Sequence, residues 1–429
     1  MPNSFIKNIK WSSFESIVVL FNSLFVSLLV IRYLGEENFG LISYSISIVS
    51  VLLVITGLGV ESVLPKLLKE QDSLEALFCS IRTRLSVSFA FVVLLGFFFL
   101  TQPSTEKFLI FLISVKLIFS SFYGIQSIFV VRSDLKTISK IKITASCLSA
   151  IFKLCLVYFD KGISWVAFSY ALDYIILAII LVYSFRPGVV NLYSNVISSS
   201  FSSCKSLVLH SYPFLLTGMA VSLMSSVDIF MLYHLTTAEI VGEYAAALKV
   251  SEIYKSILMV LVAAAFPVML NIQEKDSEEF DSFLSALFSI IFIFGLVVFC
   301  VMLLGSDSIS TLLFGSEFDS TSHLMVIMSI VSILMGYRLI TGKVLVLLGL
   351  GMFTLSRTLR GLLINIVSNA LLIPIYGANG AAYATVISMM YIGLISDLEH
   401  KESRKYFLLK VKACWNLNFR ELLRVFRIS

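Results

Sequence analysis

The sequence predicts an all-α polytopic membrane protein with 12 transmembrane helices. Composition, hydropathy and the length of the apolar runs all point to it. Residues of the set AVILMFWYC make up 58% of the 429 residues and charged residues 14%, where soluble domains hold about 45–50% and about 25%. Mean hydropathy is +0.95, more apolar surface than a soluble chain of this length can bury, so the bilayer is the expected solvent. The apolar residues also gather in runs of about 20, the length a helix needs to cross the hydrocarbon layer. Runs of that length are too long for barrel strands, and only helices or closed barrels satisfy their backbone in lipid.

In chain order, the first run, 12–34, ends in Arg32-Tyr33-Leu34-Gly35 and turns through a polar elbow into the second, 39–65, closed by Pro65. Lys7 and Lys10 precede the first run, but no small-residue cleavage site follows it, so it reads as a retained helix. The third and fourth runs, 84–101 and 107–131, follow Arg82 and Arg84 and then Lys107. A basic stretch, Arg132 to Lys142, leads into 142–159, and Gly162 opens 162–185. Residues 191–210 read as a linker, with seven serines in 194–206. Six more runs follow at 211–235, 239–270, 282–304, 323–349, 358–375 and 377–396. The tail, 398–429, carries Lys401, Arg404, Lys405, Lys410, Lys412, Arg420, Arg424 and Arg427. Its Trp415, Phe419, Leu422, Leu423 and Phe426 share one helical face, which reads as an interfacial helix on an anionic leaflet, with a disordered basic tail as the alternative.

Lysine and arginine placement sets the orientation. With the N-terminus in the cytoplasm, 23 of the 32 cations lie on inside segments, 3 outside (Arg32, Lys107, Lys161) and 6 within spans. Both termini are therefore expected in the cytoplasm.

The two halves echo one another. Gly40 precedes Pro65 by 25 residues, and Gly242 precedes Pro267 by 25. Glu70-x-Asp72-Ser73-x-Glu75 follows the first proline, and Glu274-x-Asp276-Ser277-x-Glu279 the second. "GISWVAFSYA" (162–171) and "GANGAAYATV" (377–386) each open the last run of a half. A six-plus-six repeat follows. It implies two six-helix lobes, 1–190 and 211–397, related by a pseudo-two-fold axis along the membrane normal, with a central cleft and alternating access.

Near mid-depth lie Lys116, Lys153, Asp173, Asp228, Lys249, Glu252, Lys255, Arg338 and Lys343. Each costs about 2.5–3.5 kcal/mol at the centre of a lipid-facing helix, so each must pair, snorkel or line a wet cavity. Pairing every acid still leaves an excess of cations, and a cationic cleft suits an anionic cargo. Arg338 and Lys343, with no acid within four positions, are the foremost cargo cations; Lys153, Lys116, Lys249, Lys255 and Arg32 complete the expected set. Each lysine reads equally as half of a packing ion pair. Lys249 and Lys255 flank Glu252 at helical spacing, which favours pairing, and Arg32 can cap the end of its helix. Asp173, Asp228 and Glu252 are candidates for ion coupling, with structural pairing as the alternative. Gly57, Gly59, Gly377 and Gly380 with Ala381 and Ala382 suggest close helix crossings.

Enzyme signatures are absent: there is no GxSxG, Walker or HExxH pattern. Six cysteines show no CxxC spacing, and His210, His234, His323 and His400 are too scattered for a metal site. No cofactor, metal or nucleic-acid partner is expected.

The segment "RYLGEENFGLISYSISIVSVLLVITGLGVESVLPKLL" resembles the first two helices of O-antigen (Wzx-type) polysaccharide flippases, within the multidrug/oligosaccharidyl-lipid/polysaccharide (MOP) exporter superfamily. The resemblance continues in order through "VDIFMLYHLTTAEIVGEYAAALKVSEIYKSI", "AAAFPVML", "LFGSEFDSTSHLMVIMSI" and "LIPIYGANGAAYATVISMM". Arg32, Gly35, Phe39 and Gly40 match the first elbow, with Glu36 where the family usually has proline; Asp228 matches a frequent acid of helix 7, and Gly242 and Tyr244 the second elbow. It implies a MATE/MOP-like fold in the bacterial cytoplasmic (inner) membrane. It also implies translocation of undecaprenyl-pyrophosphate-linked oligosaccharide to the outer leaflet, with membrane lipids, a polysaccharide polymerase and a chain-length regulator as partners. A cation-coupled multidrug exporter of the same superfamily would favour an acidic cleft. A polysaccharide polymerase or ligase would carry a long outer loop, where every outer connection here is short.

Overall fold

The computed structural model describes residues 2–71, 74–185, 195–273, 277–318 and 320–415. Helices and short 3-10 turns account for the regular structure, with no strand among the described residues. Arg186, Lys275, much of both acidic repeats and the tail beyond Trp415, with its expected apolar face, lie outside them.

Among the described residues, eleven helices are long and apolar enough to cross a membrane, one fewer than the expected 12. The difference lies in α1 (Pro2–Gly57), which absorbs the first two expected runs. Its apolar part, Phe14–Gly57, has 44 residues, roughly twice what one crossing needs. Gly35 interrupts it with φ 70 and ψ 177, a conformation open to glycine and little else. The expected polar elbow is thus a single broken residue, and Asn38 Nδ2 donates to the Leu34 carbonyl at 3.1 Å across the break. α1 ends at Gly57 rather than at Pro65, because Leu58 and Gly59 take left-handed φ of 54 and 68. Pro65 instead sits in the first turn of α2 (Leu64–Gln71), where its missing N–H leaves nothing unsatisfied.

The chain packs as two compact units, Met1–Ser226 and Val227–Ser429. The first holds α1, α2, α3 (Glu75–Thr101), α4 (Thr105–Ser120), α5 (Gln126–Val131), α6 (Leu135–Tyr158) and α7 (Ile163–Ser184). There α1 packs on α4 and α6, α4 on α3 and α7, and α6 on α7. Its core gathers Leu64, Leu77, Ile81, Ile125, Ile141 and Leu181. α8 (Phe201–Leu235) begins inside the stretch expected as linker, with Cys204 and Leu207 buried, runs through Pro213, and carries the chain into the second unit.

The second unit holds α9 (Ala238–Gln273), α10 (Ser277–Phe314), α11 (Thr321–Leu347), α12 (Gly351–Tyr376), α13 (Ala378–Gly393) and α14 (Arg404–Trp415). α11 is central, packing on α9, α10 and α13, while α12 lies along α13 and α14 docks on α10. Gly380 makes the tight α12–α13 seam: a Cβ there would collide with the Leu372 carbonyl. Ala381 and Ala382 are sealed. Gly57, by contrast, has open space around it.

Large apolar side chains such as Phe21, Phe97, Leu304 and Leu371 stand exposed on the spans, as a lipid solvent permits. Hydroxyls within the spans mostly turn back on their own helix. Ser45, Ser114, Ser169, Ser329 and Ser332 donate to carbonyls three or four residues earlier at 2.6–2.8 Å.

Candidate functional site

In the second unit, the last two turns of α8 present Asp228, buried at 6% exposure. Three neutral groups from three helices donate to its carboxylate. Tyr244 Oη of α9 donates at 2.8 Å, Asn369 Nδ2 of α12 at 2.6 Å and Thr385 Oγ1 of α13 at 2.7 Å. Asn369 Nδ2 also reaches Asn365 Oδ1, one turn earlier, at 3.2 Å. No cation forms an ion pair with Asp228 among the described residues. The Asn369 Oδ1 atom, also buried, lacks a hydrogen-bond partner among the described residues. A carboxylate held only by neutral donors keeps its charge uncompensated, so a proton or a small cation is what such a nest can gain.

The expected cargo cations separate into two kinds. Arg338 on α11 meets no carboxylate among the described residues; its Nη1 lies 4.0 and 3.9 Å from the thioether sulfurs of Met335 and Met389. Lys343, one turn and a half further on, lies over the Phe266 ring at 5.2 Å. Lys255 and Arg32 are exposed and unpaired among the described residues. Lys116, buried at 5% exposure, forms no ion pair among the described residues, though it feels the charge of Asp173; it lies over the Tyr174 ring at 5.7 Å, itself stacked on Tyr123 at 5.1 Å. Lys153 is different: it pairs with Asp173 at 2.6 Å and lies over Tyr170 at 4.8 Å. Ser149 also donates to Asp173. Lys249 pairs with Glu252 at 2.9 Å. So Asp173 and Glu252 each hold a lysine, and Asp228 holds none.

Four further charges are buried among the described residues, in stretches whose sequence places them on the cytoplasmic side. Arg84 is sealed against Glu61 at 2.9 Å and the Ser120 carbonyl at 2.9 Å. Arg357, Asp397 and Lys410 form a sealed trio, with Asp397 at 3.6 Å from Arg357 and 2.5 Å from Lys410. Charge placement in a sequence reports the side of the membrane, not the depth of the side chain. The Asn365 and Asn369 amides, four apart in an apolar run, were the legible trace of the Asp228 nest. No group of three or more His, Cys, Asp and Glu side chains converges among the described residues.

A family model described as polysaccharide biosynthesis protein matches residues 5–273. Among curated proteins, the probable low-salt glycan biosynthesis flippase Agl15 of Haloferax volcanii is 25% identical over 217 residues, 48% of this chain and 46% of that protein. The chain therefore spans less than half the length of that relative. Among solved structures, an inward-facing multidrug resistance MATE family transporter of the MOP superfamily superposes with a TM-score of 0.70 at 14% identity, covering 91% of this chain and 99% of that one. The lipid II flippase MurJ, in an inward closed conformation, superposes at 0.73 and 14%, covering 96% and 91%. The likeness to both is one of fold.

Proposed function

Because the chain belongs to the polysaccharide biosynthesis protein family, we propose that it is a flippase for undecaprenyl-pyrophosphate-linked oligosaccharide, an O-antigen or related surface polysaccharide repeat unit. It moves the unit from the cytoplasmic to the outer leaflet of the bacterial inner membrane. The activity is transport, not catalysis. The observation that supports this most is the set of cations that form no ion pair among the described residues: Arg338, Lys343, Lys255 and Lys116 within the spans, and Arg32 at the outer end of its run. Unpaired cations at membrane depth call for an anion, and a pyrophosphate supplies one. An exporter of cationic drugs would gain nothing from them.

The two arms of α1 on either side of Gly35 act as separate crossings, which brings the total to 12, six to a lobe. The cations take the pyrophosphate while the lipid tail stays in the bilayer, and alternating access releases the headgroup on the far side. Asp228 couples this to an ion gradient, by taking a proton or, with Asn369 Oδ1, a monovalent cation. Lys153 and Lys249 hold structural pairs in this scheme.

The test is flipping of a fluorescent undecaprenyl-pyrophosphate-linked oligosaccharide in proteoliposomes. Arg338→Ala and Lys343→Ala should each slow it by about tenfold, the worth of one hydrogen bond to a charged group. Wild-type rates in both would overturn the cargo reading. Runs with a proton gradient, a sodium gradient and neither decide what Asp228 takes.

A further inference from the structure

Lys410 lies on α14, outside every apolar span, yet its side chain is fully buried. α14 sends Tyr406, Lys410 and Ala413 into the second unit and exposes Leu408, Val411 and Trp415 on its other side. An ammonium on a docked face is costly unless its charge is used. Its Nζ donates to Asp397 Oδ2 at 2.5 Å and to the Gly393 carbonyl at 2.6 Å, beneath the rings of Phe288 and Tyr337. Asp397 Oδ1 lies 3.6 Å from Arg357 Nη1, too far for a hydrogen bond. Arg357 instead turns its Nη2 toward the main-chain carbonyl of Arg338, at 3.4 Å. Residue 342, one turn beyond Arg338, is glycine; a Cβ there would lie 3.3 Å from that Nη2.

We infer that Lys410 is a positioning residue for Arg338, holding Asp397 to itself so that Arg357 stays free to grip α11 at the Arg338 carbonyl. This rests on Arg338 being a cargo cation. Two cations share one carboxylate, and the nearer one holds it. Remove the Lys410 charge, and Asp397 closes on Arg357 and draws the guanidinium away from α11. Arg338 then loses the contact that fixes its stretch of helix.

The same linkage makes Arg338 sensitive to alkali. Burial pushes the Lys410 ammonium down to about 8, with Asp397 pulling the other way. The groups that face it are Asp397 from the 3-10 turn at Ile395–Glu399, Arg357 from α12, Tyr337 from α11, the Phe288 ring from α10 and, on α14 itself, Cys414. As pH rises through that value the proton leaves, and the grip on α11 relaxes.

Binding of undecaprenyl pyrophosphate to the full chain in detergent, across about pH 6.5–9.5, tests this. Wild-type affinity should fall by about tenfold through pH 8, in the range expected for coupling through a packed network. Lys410→Arg, which stays charged, should lack that fall. Lys410→Met should already be weakened about tenfold at neutral pH and be flat above it. If Lys410→Met does not fold, the Lys410→Arg profile decides alone, and an alkaline fall that persists there overturns the linkage. Lys410→Met binding like wild type while Arg338→Ala is weakened also overturns it and leaves the cargo reading standing. Wild-type affinity in Arg338→Ala sinks the cargo reading itself.

Discussion

Asp228 accepts hydrogen bonds from Tyr244, Asn369 and Thr385 and, among the described residues, from no cation. Asp228→Asn keeps one acceptor oxygen but turns an amide N–H₂ toward donors. It should lower thermal stability in detergent by about 1–3 kcal/mol and make flipping indifferent to any ion gradient. A variant that still responds to the gradient would remove coupling from this residue. Arg84→Met tests the other kind of buried charge. Glu61 is 57% exposed, so losing the arginine strands no acid, and the cost is the lost bond to the Ser120 carbonyl and some packing, about 1–3 kcal/mol by thermal unfolding. Asp228 itself was legible as an acid inside an apolar run. Its nest was not, because the donors come from three other helices, as far as 157 positions away in the chain. Lys153 shows the converse: its partner Asp173 lies 20 positions off on the next helix, and no spacing rule for a single helix can join them.

At the scale of elements, hydropathy located the helices because a crossing must be apolar for its whole length. Their ends were harder to read. Pro65 looks like a terminator, but a proline is at home in the first turn of a helix, and the chain had already turned at Gly57. Pro267 stands inside α9, which runs on to Gln273. The repeat of proline spacing is therefore real in the sequence while the two prolines do different things. The α12–α13 seam makes the sharpest prediction. Gly380→Ala would push a methyl into the Leu372 backbone, which cannot swing aside as a side chain can. Stability should fall by about 3 kcal/mol or somewhat more, read as a lower melting temperature, whereas Gly57→Ala, with open space around it, should leave packing untouched.

For the whole molecule, charge placement predicts both ends of the chain in the cytoplasm. Trp11 has Lys136 at 5.9 Å and Lys140 at 5.8 Å over its ring, an aromatic–cation grouping in keeping with that expectation, since such side chains favour the headgroup level. Green fluorescent protein fused after the last residue should fluoresce and alkaline phosphatase fused there should be inactive; the reverse result would invert the topology. The serines of the spans have a mechanical consequence. Many of their hydroxyls are spent on their own helices, as in Ser329 and Ser332 of the central α11, so those serines donate nothing to a neighbouring rod. Sliding past them breaks no bond of theirs; the polar bonds that α11 makes to other helices are few and lie elsewhere, such as Ser251 Oγ to Met328 Sδ and Arg357 Nη2 to the Arg338 carbonyl. The bundle is lubricated along those seams and riveted at a few points such as Asp228 and Asp397.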